Sequence, residues 1–167
     1  MKRLFSAILL CAIWTAIFLS GCANSVPEAE IMNDFNRTIA GETLENISLT
    51  IYYIDPLILT RKPLSEADLV SFSEVHTIKI DAEKLVHHWT LLRKMSNTIL
   101  RPVRQESYMN ARLYYVFEVG NSPILEVVIS QIHGNVFVNG IEMEDDPIFY
   151  ELIIPFLTDD DRAILGF

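Results

Sequence analysis

"ARLYYVFEVGNSPILEVVISQIHGNVFVNGIEM", residues 111–143, decides the fold. Ala111, Leu113, Tyr115, Phe117 and Val119 alternate with Arg112, Tyr114, Val116 and Glu118, the two-residue period of a strand with one buried face. Gly120-Asn121-Ser122-Pro123 turns the chain into a second strand, about 124–131, and His133-Gly134-Asn135 turns it again into Val136-Phe137-Val138. Asn139-Gly140, a pair that accepts the positive φ angles of a two-residue hairpin turn, leads into Ile141-Glu142-Met143. Connections this short join antiparallel neighbours, so the stretch is a meander.

Toward the N-terminus, Ile47, Leu49, Ile51 and Tyr53 alternate with more polar residues and predict a strand over about 47–54. Ser65 with Asp68 three residues on, flanked by Leu64 and Leu69, predicts a capped helix start with a hydrophobic staple. A further strand is expected over about 75–80. Asp81 then caps a helix over about 81–95, in which Leu85, His88, Trp89, Leu92 and Met95 share one face. After the meander, Asp146 and Pro147 start a helix over about 147–165, kinked or ended at Pro155 because proline lacks an N–H and clashes with the preceding turn. Thr158 and Asp161 form a second capping box. The expected architecture is α+β, an antiparallel sheet covered by helices, in one domain spanning residues 47–167.

The segment before that domain has a different character. Lys2 and Arg3 precede an uncharged 17-residue run, Leu4 to Ser20, which matches a secretory signal and is short for a membrane span of about 20 residues. The run closes on Leu19-Ser20-Gly21-Cys22. This tetrapeptide resembles the lipobox of bacterial lipoproteins. The resemblance implies a signal peptide over residues 1–21, a covalent diacylglycerol on Cys22, and Cys22 as the first mature residue. The only other cysteine, Cys11, lies in the segment that would be removed, so a processed chain has no thiol left for a disulfide, a nucleophile or a metal. Residues 22–46 are sparsely apolar and carry a proline and a glycine, and are expected to be a tether. A second resemblance, carried by "ISLTIYYIDP", "NARLYYVFE", "VFVNGIEM" and "FYELIIPFL", is to an uncharacterised family of small Gram-positive lipoproteins, a domain of unknown function. It implies location and domain extent and assigns no catalytic residue.

Charge limits the partners. The chain carries 13 basic and 22 acidic side chains, and processing at Cys22 would leave 146 residues with a net charge of −11. Acidity of that size disfavours nucleic acid, which requires a basic footprint, and opposes adsorption to anionic headgroups. Membrane contact is therefore expected through the lipid, with a protein or envelope component as the partner.

Candidate sites are few. Glu142, Glu144, Asp145 and Asp146 are the acidic cluster that most invites a metal, although the EF-hand spacing is absent and acids suit a helix N-terminus, a reading that Asp159, Asp160 and Asp161 share. Glu83 and His87 share a helix face without a third ligand, His88 lies on the apolar stripe, and His76 and His133 have no marked partner. No nucleophile elbow and no glycine-rich phosphate loop occur. Arg101, Arg104 and Arg112 with Tyr108, Tyr114 and Tyr115 make the one basic and aromatic concentration; Arg104, Tyr108, Arg112 and Tyr114 are its candidate binding surface, with Arg112, Tyr114 and Val116 expected together on the outer face of the meander. The leading expectation is a lipid-anchored extracytoplasmic domain that binds without chemistry. Its alternatives are a metal-dependent enzyme or sensor using the cluster near Glu144, and a small inhibitor or immunity lipoprotein.

Overall fold

The computed structural model describes residues 31–41, 46–104, 107–130 and 134–167. Cys22, the segment before it and His133 lie outside the described residues. The chain orders α1 (Asn33–Ala40), β1 (Ile47–Tyr53), α2 (Glu66–Val70), β2 (His76–Ile80), α3 (Ala82–Val86), α4 (Trp89–Ser96), β3 (Leu113–Val119), β4 (Ser122–Ile129), β5 (Val136–Val138), β6 (Ile141–Met143), α5 (Ile148–Glu151), a 3-10 turn (Ile154–Phe156) and α6 (Asp159–Leu165). The six strands form one antiparallel sheet in the order β2-β1-β3-β4-β5-β6, which is the α+β architecture expected from the meander.

The turns obey the local chemistry. Asn139 and Gly140 both take positive φ, 48° and 81°, as the two-residue hairpin requires. Gly120 and Asn121 do the same between β3 and β4, at 56° and 73°. Both capping boxes form: the Ser65 hydroxyl accepts the Asp68 N–H and the Thr158 hydroxyl accepts the Asp161 N–H, while each aspartate reaches back to its cap. Asp146 caps α5 by accepting the Ile148 N–H at 2.9 Å.

Two expected helices are broken. The 81–95 stretch divides at His87-His88, where the His88 N–H reaches only to the Leu85 carbonyl (2.9 Å), a tightened turn that re-aims the following helix. His88 sets its ring edge-on against Phe156 at 4.9 Å, so the apolar stripe survives as Leu85, Leu92 and Met95 on one core. In the 147–165 stretch Pro155 converts the backbone to a single 3-10 turn before α6 restarts at Thr158.

The sheet separates two apolar layers. On one face Leu49, Ile51, Tyr53, Tyr115, Phe117, Leu125, Val127, Val136 and Val138 are buried under α1, α3, α4, α5 and α6. On the other, Ile54, Tyr114, Val116, Val128 and Phe137 are covered by Leu64 and Leu69, with Ile58, Phe72 and Val75 at the margin. Burying a large apolar side chain contributes about 1.5–3 kcal/mol, so the second layer is a substantial part of the stability. It also explains why β3 is buried along most of its length although its sequence alternates.

One boundary differs from expectation. Residues 31–41, expected within the tether, form α1 and its lead-in: Ile31, Met32, Phe35 and Ile39 are all buried, and Phe35 meets Phe117 edge-on at 5.3 Å. The folded unit therefore includes Ile31. Phe35 and Ile39, four residues apart, supply the apolar stripe of a helix too short for its periodicity to stand out from the polar residues around it.

Candidate binding surface

The residues singled out from sequence divide into two pairs. Arg104 and Tyr108 are exposed, Tyr108 at 93%. Arg112 and Tyr114 are not on an outer surface; they are 8% and 8% exposed, inside the layer beneath the 54–75 segment. The same burial takes Val116, so the expected outer face of the meander is an interior. The physical reason is in the residues themselves: Tyr114 and Val116 at the supposedly solvent-facing positions are apolar enough to need a cover, and the segment with Leu64 and Leu69 provides it.

Tyr114 is held by two contacts. Its ring stacks on that of Tyr52, its partner in the β1–β3 register, at 5.7 Å and 14°. Its hydroxyl donates to Glu126 Oε1 at 2.6 Å. Burial, then that carboxylate, pushes the phenol well above its ordinary value, so it stays a neutral donor. Arg112 is less well provided. Its Nη2 reaches Thr60 Oγ1 at 3.4 Å, beyond the usual range for an N–H···O bond, and its buried Nη1 has no hydrogen-bond partner among the described residues. Burial lowers the guanidinium from its ordinary value.

The acidic cluster disperses. Glu142 is 4% exposed on β6 and accepts the Ser107 N–H. Asp146 caps α5, Asp145 faces the Tyr150 hydroxyl, and Glu144 is exposed beside Arg101 and Ile99 at a shallow depression. Among the described residues no group of three or more histidine, cysteine, aspartate or glutamate side chains is placed to hold a metal ion. His87 is exposed, and Glu83 with it.

Sequence reading missed one arrangement. Tyr53 is fully buried, stacks on the exposed His76 ring at 4.8 Å and 13°, and donates its hydroxyl to Asp161 Oδ1. Asp161 Oδ2 meanwhile accepts from the Thr158 N–H and hydroxyl, at 2.8 and 2.7 Å. The capping box of α6 is thus tied to the end of β1. Tyr53 and His76 face each other in the β1–β2 register, which was not legible from either strand alone.

That tie carries a pH dependence. Partial burial alone would raise the Asp161 carboxyl, but the bonds from Tyr53 and Thr158 and the nearby His76 outweigh it and hold the group below its ordinary value. A folded-state value below the unfolded one means that the stabilisation is complete above the unfolded carboxyl value, about 3.9, and is lost as pH falls through the lower folded value. Tyr53→Phe is expected to cost about 1–2 kcal/mol at neutral pH, measured by urea unfolding, and to bring the Asp161 titration in NMR back up toward the ordinary range. An unchanged Asp161 titration would count against the bond.

Exposed large apolar side chains are spread over the described residues, at Val70, Val86 and Ile99 as well as at Leu57, Leu59 and Tyr108, and the last three belong to segments next to the second layer. Leu57 and Leu59 are 85% and 96% exposed on the loop 54–63, and the next residue is Thr60, the contact of Arg112. Tyr108 precedes Asn110, whose side-chain carbonyl accepts the Leu64 N–H at the end of that same loop. No helix among the described residues is long and apolar enough to cross a membrane. No protein-family model, curated protein or solved structure matches the chain.

Proposed function

We propose that the chain is a lipid-anchored extracytoplasmic domain that binds a protein or envelope component and performs no chemistry of its own. The single observation that carries the location is the sequence Leu19-Ser20-Gly21-Cys22 closing an uncharged run behind Lys2 and Arg3. Cys22 takes the diacylglycerol; two acyl chains suffice for stable attachment where one is marginal. Eight residues, 23–30, separate Cys22 from Ile31, the first described residue, and a chain reaches at most about 3.3–3.6 Å per residue, which bounds how far the domain can stand from the bilayer. The binding reading is supported by Leu57, Leu59 and Tyr108, large apolar side chains left in solvent around the edge of the second layer.

Both parts are testable in cells. Cys22→Ser is expected to leave a longer precursor that keeps residues 1–21, whereas the unsubstituted chain is shortened and remains in the membrane fraction; equal lengths for the two would contradict the anchor. Leu57→Ser with Leu59→Ser is expected to change stability by less than about 0.5 kcal/mol, since both side chains are already in water. A photo-crosslinking side chain at position 59 should give a discrete adduct that one at the exposed Glu83 does not. Identical patterns at the two positions would remove the loop from the binding surface.

A further inference from the structure

Among the described residues Arg112 keeps a buried side-chain donor, Nη1, without a hydrogen-bond partner. It lies one residue before β3, its backbone N–H on the Ile129 carbonyl (3.0 Å) and its carbonyl taking the Ile54 N–H (3.1 Å). The side chain therefore emerges on the second face, next to Ile54 and Ser130 in the ladder. A guanidinium offers five N–H donors and is ordinarily buried only against a carboxylate or a set of carbonyls. Among the described residues no carboxylate is paired with it: the ion pairs there are Arg37–Asp34, Lys62–Asp68, Lys94–Glu151 and Arg162–Asp159. The one long contact is to Thr60, whose hydroxyl hydrogen is already committed to the Lys62 carbonyl at 2.8 Å, so Thr60 offers only a lone pair. Ser130, 5% exposed, accepts the Asn110 N–H at 3.2 Å and has its own O–H uncommitted among the described residues.

The side-chain contact of the guanidinium among the described residues is to the loop 54–63, at Thr60. That loop bonds to itself through Leu57 N–H to Asp55 Oδ1, Ile58 N–H to the Asp55 carbonyl and the Thr60 hydroxyl to the Lys62 carbonyl, and outward near its end through Lys62 to the exposed Asp68 carboxylate of α2 (3.0 and 3.2 Å). Beyond its two ends its attachments to the sheet are the partly buried Ile58 and the 3.4 Å Arg112–Thr60 contact. Such a segment opens at small cost compared with the sheet beneath it. Opening it would uncover a cation with unused donors, flanked by the leucines of the loop.

We propose that Arg112 is the receptor for an oxyanion group, a carboxylate or a phosphate, carried by a partly apolar ligand, with the loop 54–63 as its cover. The proposal rests on the binding reading above and names its ligand chemistry. The Arg112 Nη1 donors and the Ser130 hydroxyl take the oxyanion, a charge-assisted pairing that is stronger than a neutral bond and that supplies what the closed structure lacks. Leu57 and Leu59 cover the apolar part. An uncompensated buried cation is also a cost to the fold, one that a group kept for binding can impose.

Small anions test this without the natural partner. Thermal unfolding of the folded chain is followed in acetate, hexanoate and phosphate, each against chloride at equal ionic strength. The expected result is a saturating rise in Tm, as mass action at one site gives, and a rise at lower concentration for hexanoate than for acetate if a carboxylate is the native group. Phosphate saturating first would assign the phosphate instead. Arg112→Met should abolish the saturating part and, by removing an unpaired buried charge, raise the Tm in chloride by about 4 °C. A rise that is equal in Arg112→Met, or that grows without saturation as general salt effects do, overturns the proposal. So does a loss of Tm in Arg112→Met with no anion response in the unsubstituted chain, which would make Arg112 a structural group. Should Arg112→Met fail to fold, the unsubstituted chain decides alone: hexanoate must shift the NMR signals of Thr60, Arg112 and Ser130, and shifts confined to other residues overturn the site. Failure here with the position-59 adduct intact would remove the anion and leave the binding surface; loss of the adduct with the anion response intact would do the reverse.

Discussion

Phe35→Ala is expected to destabilise the domain by about 3–5 kcal/mol, read as a fall in the midpoint of urea unfolding at unchanged slope. Phe35 is completely buried and sets its ring edge-on to Phe117 at the centre of the first layer, with Ile39 beside it in the same core. Removing the ring leaves a cavity against Phe117 and the β4 strand, which rigid neighbours on the sheet cannot close. The consequence reaches further than one side chain. A chain beginning at Ile47 would lose all of α1, exposing the surface it covers, and should unfold at markedly lower urea or fail to fold. A cost below about 1 kcal/mol for Phe35→Ala would return residues 31–41 to the role of a tether.

Leu69→Ala is the matching test for the other face, with an expected cost of about 2–5 kcal/mol. Leu69 is fully buried at the end of the short α2, whose Ser65–Asp68 capping box fixes the start of the helix and so aims Leu69 at Tyr114, Val116 and Val128. Because Phe35 and Leu69 lie on opposite sides of the sheet and share no neighbours, their costs should add to within about 0.5 kcal/mol in the double variant. A strongly sub-additive result would mean that one layer has already been lost in a single variant. The Leu69 substitution also loosens the segment that follows the loop 54–63, so it should raise hydrogen exchange at Leu64 and Ala111, which are joined by the Ala111 N–H to Leu64 carbonyl bond.

The meander was legible because its signals are local: two-residue alternation, and Asn-Gly and Gly-Asn pairs that need nothing beyond themselves to turn a chain. The capping boxes at Ser65 and Thr158 were legible for the same reason. What was not legible depends on residues distant in sequence. Arg112 and Tyr114 occupy the polar positions of an alternating strand, and only the fold of residues 54–75 across them turns those positions into an interior. The break at His87-His88 follows from the packing of His88 on Phe156, sixty-eight residues away, which no period in the helix announces. The Tyr53–Asp161 bond joins the second half of a strand to a helix cap 108 residues later. Of the candidate surface, Tyr108 and Arg104 lie in solvent, while the apolar loop Leu57-Ile58-Leu59 follows a proline and gives no periodic signal. Its signal was there in composition: three large aliphatic residues in a row at a turn, with only Ile58 finding cover.

Attachment to the membrane through a lipid on Cys22 is the central claim to test. Protein extracted from membranes with detergent, digested and measured by mass spectrometry, should yield an N-terminal peptide that begins at Cys22 and is heavier by a diacylglycerol. An N-terminus at Met1 with unmodified Cys22 would contradict it.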